Sequence, residues 1–320
     1  MLKYKNYQLI RPDKNNYIQI IEFVNQNNGS IFHEIDLNKI IESTFGTELF
    51  YLVDNSENIK HAAVVHITKN KFGLKRYNLR PLFDMPYAGF IGEVEVEFNQ
   101  FSVGFMESIS YMGFPYIQEL NIDSDNIKIG ETSMVDLSLD ENKIFNEVIH
   151  SKRRNMIRKA LKQNIEVKIF NSAEGLKGYW PILKQLHDKL GYNQLTYDFY
   201  DKILKEFGPK GQAFILIAYK NGVEISGVFI LGNKNYMHYY KGASAFGVKN
   251  EGQGELLQWE AIKLSKTLGA KQYDLCNLNK DSLPKIYKFK TGISKNIYQY
   301  PIFSQNALGY KIVNKLTQIV

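Results

Sequence analysis

Apolar residues recur at helical spacing at Ile18, Ile21, Phe23 and Val24, and again at Leu37, Ile40 and Ile41, which predicts two helices early in the chain. Apolar runs over 49–53 and 61–68, interrupted at Asn55-Ser56, predict strands. Residues 98–120 read as a helix, a stop at Gly113 and a strand at 116–120. The second half repeats this order. Periodicity predicts a long helix over 139–163, a strand over 166–170, and helices over 180–190 and 196–207. Two strands follow at 214–219 and 224–231. They flank Asn221-Gly222, a hairpin signal because both central residues of such a turn need positive φ. Asn233-Lys234-Asn235 turns the chain into a further strand over 236–243. A helix from Gly254, a stop at Gly269 and a strand at 272–275 complete the repeat, the glycine supplying the left-handed residue that closes a helix. The pattern predicts an α/β (α+β) chain with two mixed sheets and flanking helices, divided into domains 1–138 and 139–320.

Composition narrows the class. A chain of 320 residues suits two domains, and 44% apolar with 23% charged residues is ordinary for a globular protein. Forty basic against 33 acidic residues give a net charge of +7, which suits an anionic partner such as a nucleotide, tRNA or an anionic envelope precursor. A merely lysine-rich surface gives the same excess. The single Cys276 excludes an intrachain disulfide and a cysteine-based metal cluster. The six histidines are scattered without metal-ligand spacing, so no metal site is expected. No apolar run approaches the roughly 20 residues of a membrane span. The start, Met1-Leu2-Lys3-Tyr4-Lys5, lacks the apolar core of a signal peptide, and a cytoplasmic location is expected.

The densest basic run is 151–160, Ser-Lys-Arg-Arg-Asn-Met-Ile-Arg-Lys-Ala. Helical spacing places Arg154, Arg158 and Lys162 on one face, and Phe145, Ile149, Met156 and Ala160 on another. The basic face reads either as a surface for phosphates of a substrate or as an ordinary solvated face. A non-catalytic RNA- or anion-binding protein using 152–162 is therefore one functional reading. No Gly-x-Ser-x-Gly elbow and no Cys–His pairing suggests a covalent nucleophile.

The other reading comes from the stretch 239–292. Tyr239-Tyr240-Lys241-Gly242-Ala243-Ser244 is followed by the helix containing Leu256-Leu257-Gln258-Trp259, the strand Gln272-Tyr273-Asp274-Leu275, and Tyr287-Lys288-Phe289-Lys290. This order resembles the second half of the Fem-type (FemABX) peptidyltransferases and related acyltransferases of GNAT-like fold, and the basic segment ahead of Ile165-Glu166-Val167 adds to it. The resemblance implies tandem duplicated GNAT-like domains with the active site in 139–320. It implies transfer of an acyl or aminoacyl group to an amine of a cell-envelope precursor, either a peptidoglycan peptide or an amino sugar. The donor would be aminoacyl-tRNA or acyl-CoA, with tRNA a partner in the first case, no tightly bound cofactor, and no role for DNA.

Such a reaction needs positioning, an oxyanion stabiliser and a proton acceptor. The resemblance points to Lys290 as the stabilising cation beside Phe289, with Tyr240 and Asp274 as further catalytic candidates. Tyr239, Lys241, Ser244, Arg154, Arg158 and Tyr200 are candidate substrate-binding residues. Strand alternation sends one of Tyr239 and Tyr240 to the cleft and the other to a core. Cys276 reads as a small buried side chain.

Two departures bear on substrate. Gly252 and Gly254 have the spacing of a pyrophosphate-binding loop, but Glu251 and Glu255 would repel phosphate. Family members with muramyl-nucleotide acceptors carry an Arg-x-x-x-Tyr pattern, whereas here the matching stretch runs from Thr196 to Tyr200 without the arginine.

Overall fold

The computed structural model describes residues 1–55, 59–82, 85–92, 96–115, 127–192 and 195–317. The chain forms two compact units, Met1–Gly130 with Gln299–Val320, and Glu131–Tyr298. This differs from the expected division at 138/139, and residues 299–320 return to the first unit. The reason is pairing: Ile302 to Asn306 run antiparallel to Ser108 to Met112.

In the first unit the strand order is Tyr7–Ile10, Glu48–Asp54, His61–Lys69, Lys75–Leu79, Glu107–Met112 and Ile297–Asn306. Neighbours are antiparallel except Lys75–Leu79 and Glu107–Met112, which are parallel, so the sheet is mixed. One face carries the core, with Val65, Ile67, Tyr77, Leu79, Ile109, Tyr111 and Phe303 packed together. The helices Tyr17–Gln26 and Ile35–Phe45 lie where their periodicity predicts, the second closed by left-handed Gly46.

The helix expected over 98–113 is corrected. Phe98–Gln100 forms one 3-10 turn, and Phe101–Ser102 and Glu107–Met112 are strands. Ser108-Ile109-Ser110-Tyr111 alternates polar and apolar residues with period two, and the sheet exploits that alternation over any helical one. The strand expected at 116–120, and Ser56 of the expected break, lie outside the described residues.

In the second unit the order is Glu166–Phe170, Ala213–Lys220, Val223–Gly232, Tyr236–Ser244, Gln272–Asp274 and Ile127–Asp136, the last pairing through Met134 to Asp136. The first four form an antiparallel meander. Asn221 and Gly222 have φ of 52° and 78°, the double positive pair that the hairpin requires. Tyr236–Ser244 and Gln272–Asp274 are parallel, joined by the crossover helix Gln253–Thr267. Val135, Leu216, Ile230, Met237, Leu257, Ile262 and Tyr273 fill the core between this helix and the sheet.

The helix expected over 139–163 is also interrupted. Glu141–Lys143 and a π-type turn, Ile144–Val148, precede an extended Ile149, and the regular helix is Ser151–Lys162. His150 Nδ1 caps it by accepting from Lys152 N–H, a side-chain satisfaction of an orphan helix donor. Gly252, φ +97°, abuts this helix; a Cβ there would lie 2.0 Å from the Met156 carbonyl oxygen, so only glycine fits. Among the described residues, no helix is long and apolar enough to cross a membrane.

Candidate active site

The site forms where Gln272–Asp274 ends. Beyond it the chain turns through Cys276 and Asn277, with φ of 56° and 24°, consecutive positive values without glycine. The turn is held from within, since the Cys276 N–H donates to Asp274 Oδ1 at 2.8 Å. Both backbone carbonyls then face the helix Pro284–Ile293, whose first turn is set by Pro284. From that helix Lys290 donates to Cys276 O at 2.6 Å and to Asn277 O at 3.1 Å. Its ammonium also lies 5.6 Å from the centre of the Tyr239 ring. Lys290 is only 9% exposed, so it is a buried cation held by dipoles, not a surface lysine. Burial lowers its pKa, while Cys276 and Asp274 oppose the shift. Among the described residues, these two carbonyls are the hydrogen-bond acceptors of its three N–H donors.

Asp274 is wholly buried and is the hub behind the turn. Oδ1 also accepts from Thr132 Oγ1 at 2.5 Å, and Oδ2 lies 2.9 Å from His238 Nδ1. This makes Asp274 a positioning residue for the Cys276 carbonyl. The histidine, carboxylate and thiol form a tight group, with Nδ1, Oδ2 and Sγ all within 4.8 Å of one another. No sequence spacing could show it, because His238 and Asp274 come from separate, parallel-paired strands. Burial pushes the Cys276 thiol well up, with Asp274 adding to this, so the sulfur is held protonated.

A β-bulge between Phe229 and Ile230 breaks the simple alternation expected for Tyr239 and Tyr240. Ile230 pairs with Tyr239 and Phe229 with Lys241, which leaves Tyr240 as the extra residue. Tyr239 therefore sits beside Lys290, its hydroxyl pKa pushed up to about 12 by burial. Tyr240 enters an aromatic cluster with Phe229 and Tyr200, at centroid separations of 5.7 and 6.2 Å. Tyr200 is fully buried, 3.3 Å from His187 Nε2, on the helix Tyr197–Phe207. Lys241 is buried between the rings of Tyr240 and Tyr192. Its pKa falls to about 7 through burial; Cys276 opposes this and the Lys290 charge adds to it. Ser244, at the exposed strand end, lies 2.9 Å from Ser226 Oγ.

The basic helix faces two ways. Arg154 turns inward and donates to the carbonyls of Asn146 and Ile149, bracing the break before the helix. Arg158 lies over the Phe145 ring and donates to Asn155 Oδ1. Arg153, which the motif alone did not single out, donates to buried Glu255 at 2.7 Å and to Lys288 O, and its guanidinium covers the Phe289 ring. Phe289 thus packs the Lys290 helix against the basic helix.

The loop ahead of the crossover helix is closed on itself. Glu251 N–H donates to Gln253 Oε1, Gly252 N–H to Asn250 Oδ1, and Gln253 Nε2–H to Lys249 O. Glu251 pairs with Lys220. Two of the loop's amides, those of Glu251 and Gly252, thus already bind this chain's own side chains.

Residues 151–290 match the acetyltransferase (GNAT) domain model. None of the curated protein sequences matches the chain. Among solved structures, the chain is similar to FemX at 12% identity with a TM-score of 0.68, over 96% of this chain and 99% of that one. It is also similar to the L-PGS of Bacillus licheniformis, at 11% identity and TM-score 0.50 over 96% and 97%. A tandem GNAT protein of the clavulanic acid biosynthesis pathway matches at 9% and 0.51, over 96% and 99%. The chain therefore has a GNAT-like fold, and its residues 151–290 match an acetyltransferase (GNAT) domain.

Proposed function

We propose that the protein transfers an aminoacyl or acyl group from an activated ester to an amine of a cell-envelope precursor. The single observation that carries this reading is the buried Lys290 ammonium, fixed by two backbone carbonyls among the described residues. When the amine attacks the ester carbonyl, negative charge develops on the carbonyl oxygen. A preorganised cation in a water-poor setting stabilises that charge at the moment it forms. The tetrahedral intermediate then collapses, the C–O bond to the carrier breaks, and the attacking nitrogen gives up a proton. Lys241, with its pKa near 7, is the group in this cluster best matched to receive it.

The loop 249–253 favours a donor other than acyl-CoA, because the amides of Glu251 and Gly252 are already bonded to side chains of the loop itself. Aminoacyl-tRNA is the donor that this leaves from the two considered. A similar structure from Agrobacterium fabrum, 10% identical with a TM-score of 0.52, is described as the C-terminal domain of a putative lysylphosphatidylglycerol synthetase, a name that itself denotes an aminoacylated product. For the acceptor, the resemblance of the stretch 239–292 to Fem-type peptidyltransferases favours an envelope precursor.

The test is direct incubation with radiolabelled aminoacyl-tRNA or acyl-CoA and a panel of envelope amines, muropeptides and amino-sugar nucleotides included. Label should pass from tRNA to one acceptor class in the wild type, and not in a folded Lys290→Met variant. Transfer from acyl-CoA alone would overturn the donor assignment. Undiminished transfer by Lys290→Met would overturn the mechanism.

A further inference from the structure

The second face of the first unit's sheet carries charge where a sheet of this kind normally carries apolar side chains. Along Lys75–Leu79 and its continuation, Tyr77 and Leu79 enter the core. Arg76, Asn78 and Arg80 alternate with them and share the opposite face. The parallel register sets Arg76 against Ser108 and Asn78 against Ser110. The next strand adds Ser304 opposite Ser110. Three neighbouring strands thus line up two guanidiniums and three hydroxyls.

Their bonding is one-sided. Arg76 Nε–H donates to Ser108 Oγ at 3.2 Å, and Arg80 Nη1–H reaches Ser110 Oγ at 3.5 Å. The hydroxyls of Ser110 and Ser304 are 3.3 Å apart. Arg76 stacks over the Tyr310 ring at 5.5 Å, which fixes the plane of its fork. Among the described residues no carboxylate pairs with either arginine, whereas Arg11 has Glu42 and Arg153 has Glu255. Glu107, next to Ser108 in sequence, is engaged on the core side with Tyr77 and the N-terminus. Arg80 also lines a recess with Asn38, His66 and Asn78. Desolvation, and then the charge of Arg76, lower the Arg80 pKa, so the two cations repel each other.

We infer that the first unit carries a phosphate-binding site built from Arg76 and Arg80 with the exposed Ser304 hydroxyl beside them, while buried Ser108 and Ser110 orient the two guanidiniums. Guanidinium forks held in place by buried hydroxyls match phosphate oxygens with paired N–H donors, and one exposed serine hydroxyl can donate to a remaining oxygen. A bound phosphate removes the repulsion between the two arginines. Binding of phosphate stands on this geometry and is independent of the function proposed above.

The full-length protein is titrated calorimetrically with inorganic pyrophosphate and with uridine diphosphate at low salt, and sedimented with phosphatidylglycerol or phosphatidylcholine vesicles. Saturable binding is expected in the wild type, weakened at least about tenfold in Arg80→Gln, as for loss of a charge-assisted hydrogen-bonding pair. Arg76→Gln should do the same, and Ser110→Ala provides a milder variant if loss of the Tyr310 stack unfolds the chain. Tighter binding of uridine diphosphate than of pyrophosphate assigns the phosphate to a nucleotide. Arginine-dependent sedimentation with phosphatidylglycerol alone assigns it to a lipid headgroup. Lys290→Met should bind as the wild type does. Equal affinities in wild type and folded Arg80→Gln, or no saturable binding to any phosphate probe, overturns the site. Phosphate binding without transfer to any amine would sink the transferase reading and leave this site standing.

Discussion

Lys290 donates to the Cys276 carbonyl at 2.6 Å, and that carbonyl faces the ammonium because Cys276 and Asn277 both adopt left-handed backbone. The contact joins the end of a central strand to a helix that returns to it. In the mechanism proposed above, a cation anchored in this way before substrate arrives would need no reorganisation when charge develops on the reacting oxygen.

Lys290→Met should lower the transfer rate by about a hundred- to a thousand-fold, the usual effect of removing one oxyanion donor. The loss should fall on kcat, since the interaction is made chiefly with the transition state. Single-turnover rates with pre-bound donor check this. A rise in KM at constant kcat would recast Lys290 as a binding residue.

Cys276→Gly should retain transfer. The turn needs positive φ at 276 and the carbonyl that goes with it, both of which glycine provides, and the thiol is buried and held protonated. Cys276→Val is the contrasting variant: a β-branched residue resists this conformation, and both thermal stability and rate should fall. Abolished transfer in a stable Cys276→Gly protein would mean that the sulfur takes part in the chemistry.

Much of this was legible in the chain. The Asn221-Gly222 hairpin, the Gly46 and Gly269 stops and the crossover helix follow from local chemistry, and Tyr287-Lys288-Phe289-Lys290 marks the cation. Other parts depend on contacts distant in sequence. The bulge at Tyr240 arises from pairing with Val223–Gly232, and a period-two reading of one strand cannot register an extra residue. The break at Ile149 and His150 interrupts a pattern that otherwise continues in helical phase, and it is set by Arg154 reaching back to two carbonyls. Arg76 and Arg80 look like solvated strand residues until Glu107–Met112 is seen to lie beside them in parallel.

Arg153→Met should destabilise the second unit by about 3–5 kcal/mol, because Glu255 is left as a buried carboxylate without its partner. Adding Glu255→Gln should restore much of the loss, as the uncompensated charge is then gone. Urea unfolding of the two single variants and the double variant closes the cycle. Strict additivity would show that the pair is not coupled.

Lys241 predicts a pH dependence of rate. With its pKa near 7, the amine is neutral and able to accept a proton only above that value, so transfer should rise through pH 7 and level off beyond it. Lys241→Gln should be slower and should lose this limb. A limb near 7 that persists in Lys241→Gln belongs to another group.

His66 predicts where acid weakens the first unit. It is 3% exposed, with Thr47 Oγ1 2.8 Å from Nδ1 and Asn38 Oδ1 2.9 Å from Nε2. A neutral ring satisfies both contacts, donating from Nε2 and accepting at Nδ1, and burial lowers its pKa from 6.5 to about 3. In the unfolded chain the ring protonates near 6.5, so between that value and 3 the unfolded state binds more protons. The stabilisation is complete above 6.5 and is lost progressively as the pH falls toward 3. The stability of the wild type should therefore drop with a slope approaching about 1.4 kcal/mol per pH unit beyond that of His66→Gln, whose amide cannot titrate. Urea midpoints for the two proteins at pH 7.5, 5.5 and 4.5, read together with fluorescence and circular dichroism, measure the difference. Parallel curves would mean that the ring gains a proton inside the folded unit without cost, which its bond to the Thr47 hydroxyl argues against.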